Sequence, residues 1–88
     1  MTPEETAAII RKNDLPKGIS WYEIQGKVLY EFRDRGGRTQ KQRIAYMYSR
    51  KPKCRYTLEF PDDATAEQVQ EIINSGLENF RFILAEHP

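Results

Sequence analysis

Three stretches with a side-chain period of two constrain this chain more than any other feature. In residues 27–33, Val28, Tyr30 and Phe32 alternate with Lys27, Leu29, Glu31 and Arg33. In residues 43–49, Ile44, Tyr46 and Tyr48 fall on one side; in residues 54–60, Cys54, Tyr56, Leu58 and Phe60 alternate with Arg55, Thr57 and Glu59. Successive strand side chains point to opposite faces, so each stretch reads as a strand. A further strand, residues 19–25, is read from its β-branched and aromatic residues, with a turn at Gln25-Gly26.

Helix-start signals bracket these strands. Thr2-Pro3-Glu4-Glu5 combines a capping residue, a proline suited to the first helical position and the glutamate that completes a capping box. It predicts a helix over residues 3–12, closed by Asn13 and Leu15-Pro16. Thr65 with Gln68 repeats the box, and Asp62 and Asp63 suit the positive end of a second helix. Val69, Ile72 and Ile73 supply its apolar stripe, and Gly76 is read as the residue that ends it. Phe80, Phe82 and Leu84 then alternate with Arg81 and Ile83, which predicts a last strand over residues 79–85. The expected order is α-β-β-β-β-α-β. That is an α+β fold: an antiparallel four- to five-stranded sheet with helices on one face, the second following strand four. The tyrosines 30, 46, 48 and 56, with Phe32, Leu58 and Phe60, are expected to form the core beneath the helices, and Trp21 and Met47 to lie on the opposite face.

Eighty-eight residues suffice for one domain, residues 1–88, with a small core. Apolar residues make up 39% of the chain, which is a folded rather than a disordered composition. Cys54 is the only cysteine, so no intramolecular disulfide forms, and that fits a reducing, cytoplasmic setting. No apolar run has the length of a membrane span.

Charge is where the sequence speaks to function. Residues 32–56 hold nine basic residues (Arg33, Arg35, Arg38, Lys41, Arg43, Arg50, Lys51, Lys53, Arg55) and one acidic one, Asp34. The other five basic residues stand against twelve acidic ones, so a net charge of +1 conceals +8 in this stretch and −7 outside it. Such asymmetry points to a polyanionic partner. The dense spots are the turns on either side of the strand at residues 43–49. Arg33, Arg43 and Arg55 could join them along one sheet face into a stripe that follows a nucleic-acid backbone. Arginine outnumbers lysine six to three, which favours bidentate contacts with phosphates or base edges. Gly36-Gly37 lets the first loop approach a ligand closely. If that hairpin enters a major groove, Arg38 and Gln40 are the base-reading residues. Trp21, Tyr46 and Tyr48 are the candidates for stacking on bases.

The expected function is therefore a small non-catalytic nucleic-acid-binding module, with DNA ranked ahead of RNA. The alternative is a protein-interaction module, a small regulator or inhibitor that docks its basic surface on an acidic partner. A third reading needs no partner: a solvated hairpin whose edge charges block aggregation. The acidic residues, concentrated on the helices, read as a solvated face; the alternative there is self-association, acidic face to basic face.

Catalysis finds no support in the residue pattern. Cys54 lies between Lys53 and Arg55, which would favour its thiolate, but its strand parity turns it inward among apolar residues. His87, the only histidine, is penultimate, and no set of residues has zinc-ligand spacing. No Ser-His-Asp or Cys-His arrangement is present, and Gly36-Gly37 matches neither a P-loop nor a dinucleotide fingerprint. No cofactor is expected.

Gly18-Ile19-Ser20-Trp21, then Gly26-Lys27-Val28, a basic turn and a later helix are similar to the three-stranded DNA-binding domains of integrase arm-binding type, over residues 18–76. The resemblance implies a sheet that enters the major groove. The chain departs from that pattern in an additional strand, residues 54–60, ahead of the helix. In element order alone it is also similar to single-strand DNA binders that place four strands before a helix. Neither similarity assigns a role to a residue.

Overall fold

Both capping boxes form, and each starts a helix. The computed structural model describes residues 1–32 and 42–86. Helix α1 spans Pro3–Lys12. Thr2 Oγ1 accepts from the Glu5 backbone N–H at 3.1 Å, and the Glu5 carboxylate accepts from the Thr2 N–H at 3.1 Å. The bond from the Thr2 N–H, with a further contribution from the Thr2 hydroxyl, holds the Glu5 carboxyl below its ordinary value of 4.5. Helix α2 spans Ala66–Ala85 and opens on the reciprocal Thr65–Gln68 bonds, at 3.2 and 2.9 Å. Asn13, just past α1, exchanges amide hydrogen bonds with Gln70 of α2 at 3.0 and 2.7 Å. That pair ties the helices together where Thr6 and Ile10 of α1 are buried.

Four strands form one antiparallel sheet: β1 (Ile19–Trp21), β2 (Tyr30–Phe32), β3 (Gln42–Arg50) and β4 (Lys53–Phe60). Strand β3 is the spine. Strand β4 pairs with it along nearly its whole length, from Arg43↔Phe60 to Arg50↔Lys53. Strands β1 and β2 share its other edge in tandem: Trp21 stands opposite Met47, and Tyr30 opposite Ile44. In an uninterrupted strand Ile24 would stand opposite Ile44, so six residues are looped out between β1 and β2. The excursion turns at Gln25-Gly26, as expected, with both residues at positive φ (53° and 75°) and Ile24 paired to Lys27. Positive φ at both central positions is the hairpin turn that matches strand twist. The Tyr30 hydroxyl closes the excursion, accepting from the Ile24 N–H and donating to the Lys27 carbonyl.

The α+β class, the two helices and the four-stranded antiparallel sheet agree with the expectation from sequence. The expected last strand does not form: residues 79–85 continue α2. Val69, Ile73, Gly76 and Phe80 are the buried residues of that helix, at spacings of four, three and four, so one apolar stripe runs through the glycine. Gly76 does not end the helix. It is the point of closest approach to the sheet, where a Cβ would lie 2.2 Å from Leu58 Cδ2.

The second correction concerns strand facing. Strand β4 behaves as expected, with Leu58 and Phe60 buried and Tyr56 stacked on Phe80 of α2 at 5.7 Å. Strand β3 is inverted: Arg43, Ala45, Met47 and Ser49 face the helices, and Ile44, Tyr46 and Tyr48 face away. Ala45 and Met47 are fully buried, and Val28 and Leu29 of the excursion join the same core. With α2 so close at Gly76, the layer over the middle of the sheet is thin. Ala45, Ser49 and the adaptable Met47 fit it, whereas a tyrosine there would bury a hydroxyl. Tyr30, opposite Ile44, is turned outward with them.

Candidate binding surface

Because the helices stand on one side of the sheet, the other side carries a row of aromatic rings that no element among the described residues covers. Tyr46 and Tyr48 of β3 are its centre. Tyr22 follows β1, donates its backbone N–H to the Tyr46 carbonyl at 2.9 Å, and is 37% exposed. Its ring lies 6.4 Å from that of Tyr46, edge-on at 81°, and 6.0 Å from that of Tyr48. Tyr30 lies 6.0 Å from Tyr46 on the other side. The four rings therefore form one chain, Tyr30–Tyr46–Tyr22–Tyr48, with one edge-on pair and two tilted pairs.

Cations border one end of this chain. Arg50 and Lys53 are partners across the β3–β4 turn, with Lys51 within it, and all three are exposed. Arg55 pairs with Tyr48 across the strands and lays its guanidinium over the Tyr46 ring, 4.5 Å from the centroid. That cation–π contact holds an exposed arginine flat against the sheet. Four of the nine basic residues of the stretch thus lie within six positions, beside the tyrosines. Glu59, opposite Ile44, is an acidic residue at the other end of the same face.

The remaining expected site residues separate. Arg43 is on the core side and 6% exposed. Its guanidinium donates to the Met1 carbonyl at 2.8 Å and to Thr6 Oγ1 at 3.4 Å, and its Nε lies 3.4 Å from Glu31. It anchors α1 to the sheet, so it cannot join Arg55 in a stripe along one face. Arg33, Arg35, Arg38, Gln40 and Lys41, with Gly36-Gly37, lie outside the described residues, as does His87. Their strand anchors, Phe32 and Gln42, are register partners at the end of β3 opposite Arg50 and Lys53. Residues 33–41 and the β3–β4 turn therefore connect to opposite ends of β3.

Trp21 is the third correction. It faces the helices, half-buried, and donates Nε1–H to the Asn13 carbonyl at 3.0 Å. Tyr22, one position on, takes the outward place, and so does Tyr30. The signal for Tyr22 was the parity of β1 itself: if Trp21 packs inward, its neighbour cannot. Cys54 is half-buried on the core-facing row, opposite Ser49. Among the described residues no three His, Cys, Asp or Glu side chains gather as a metal site, and no helix is long and apolar enough to cross a membrane. No protein-family model, curated protein or solved structure matches the chain.

Proposed function

We propose that this chain is a small nucleic-acid-binding module that acts by binding rather than by catalysis. Its contact surface is the sheet face opposite the helices together with the β3–β4 turn. The observation that carries the reading is the placement of Arg50, Lys51, Lys53 and Arg55 beside four outward tyrosines on a face the helices leave open. Cations neutralise phosphates, and the rings offer contact area that sequence-independent electrostatics alone would not require. The basic residues of 33–41 add to the charge of the same stretch of sequence. Their distance in sequence from the β3–β4 turn suits a partner with charge repeated along its length rather than a small anion.

An acidic protein surface is the second reading. The pairing of Arg55 with Tyr46 favours it, because arginine and tyrosine are enriched in protein interfaces.

A salt titration separates the readings. Binding of a fluorescein-labelled DNA oligonucleotide should weaken linearly in log–log form as salt rises, with a slope of roughly −0.7 to −0.9 per phosphate neutralised. Arg50→Glu with Lys53→Glu should weaken binding and flatten the slope by about two. Slope-free binding, or none at low salt, refutes the proposal. A cellular partner retained after nuclease treatment and lost in the same double variant establishes the second reading instead.

A further inference from the structure

The geometry points to single-stranded nucleic acid as the ligand of this face, with bases stacked on Tyr22 and Tyr48 while Arg50, Lys53 and Arg55 hold the backbone; this rests on the nucleic-acid reading above. A duplex keeps the faces of its bases inside the stack and presents phosphates and groove edges. Cations alone serve such a ligand, and ring faces find nothing to lie against. An unpaired strand offers both partners at once, a charged backbone and exposed π-faces.

The surface offers the matching pair. Tyr46 already carries Arg55 over its face, and the Tyr30 hydroxyl is committed to the excursion turn. That leaves Tyr22 and Tyr48 as the platform, 6.0 Å apart and inclined at 46°. Tyr22 is the more open of the two at 37% exposure. Tyr48 stands directly across from Arg55, with Arg50 two positions further along the same row. A strand running along β3 would meet ring, then cation, over a short path. Charge complementarity selects a polyanion, because an apolar partner would leave these three cations unused, and the open ring faces select an unpaired strand among polyanions.

The test compares an oligothymidylate of about 20 nucleotides, longer than the ~4–16 nucleotides that one small domain usually covers, with a duplex of equal length at one salt concentration. The single strand should bind at least about ten-fold tighter. Tyr22→Leu and Tyr48→Leu should each weaken single-strand binding by roughly 5- to 150-fold, the value of one stacked base. Neither changes charge, so the salt slope should stay where it was. Tyr48→Phe keeps the ring and should keep the affinity, and circular dichroism confirms that each variant is folded. Equal or tighter duplex binding by the unaltered protein, or folded leucine variants with undiminished affinity, overturns the inference while leaving salt-dependent binding intact. Absence of salt-dependent binding to either probe overturns the nucleic-acid reading and this inference with it.

Discussion

Gly76 in the middle of α2 permits a sharp test of how the helix and sheet are packed. On helix propensity alone, Gly76→Ala should stabilise the protein by about 1 kcal/mol, since glycine is that much less favourable in a helix interior. The structure opposes this. The new methyl would sit 2.2 Å from Leu58 Cδ2, where ordinary contact begins at 3.4 Å, and 3.5 Å from Tyr56 Cε1. Leu58 is 3% exposed, so its side chain has no solvent to swing into. Forcing a methyl into a packed core costs about 1–3 kcal/mol. The sum is a net loss of about 1 kcal/mol, or roughly 4–8 °C in melting temperature for a domain of this size. Leu58→Ala removes the clashing atom at its own cost of about 2–5 kcal/mol. In that background Gly76→Ala should change sign and stabilise by about 1 kcal/mol, as propensity and cavity filling act together. The coupling of about 2 kcal/mol lies within the range for residues in contact. Urea unfolding of the four proteins, followed by far-ultraviolet circular dichroism, measures it. Stabilisation by Gly76→Ala in the unaltered protein, or an equal effect in both backgrounds, would refute the close approach.

Two further predictions follow from the turns and the core. Arg43→Gln should destabilise by about 1.5–3 kcal/mol, because its charged bonds to the Met1 carbonyl and Thr6 are lost, whereas exposed Arg50→Gln should stay within about ±0.5 kcal/mol; the urea midpoints read the contrast. Gln25→Asn should raise the melting temperature by a few degrees, worth about 0.5–1 kcal/mol, since Gln25 occupies a left-handed conformation (φ 53°) that asparagine tolerates better ahead of Gly26.

What could be read in the sequence was what is decided locally. The capping boxes at Thr2 and Thr65 involve residues three apart, and both form. The Gln25-Gly26 turn and the existence of the strands are equally local. The facing of β3 is not local. Its two sides, Ile44-Tyr46-Tyr48 and Ala45-Met47, are both apolar enough to be core, and alternation cannot choose between them. The thickness of the layer under α2 chooses, and that depends on Gly76 meeting Leu58 across the fold. The end of α2 was hidden for a related reason: a glycine that marks close packing looks, in sequence, like one that stops a helix. Arg43 and Arg55 are indistinguishable as members of a basic run. Only the return of Met1 and Thr6, 42 and 37 residues away, makes the first a structural anchor and leaves the second at the surface. Five of the ten expected contact residues, Arg33, Arg35, Arg38, Gln40 and Lys41, lie outside the described residues.

The tandem pairing of β1 and β2 gives the sheet two unequal edges in time as well as in space. Strand β4 is joined to β3 through eight consecutive partners, whereas the opposite edge is held by two sets of three separated by a loop. Short, interrupted ladders open at lower free energy than long ones, so amide exchange should be fast at β1 and β2 and slow along β3 and β4. Tyr46 and Tyr48 then ride on the part that stays closed, and Tyr22 on the part that breathes. The four-ring row would then be divided between a well-anchored strand and a loosely held edge, without any movement of the helices behind.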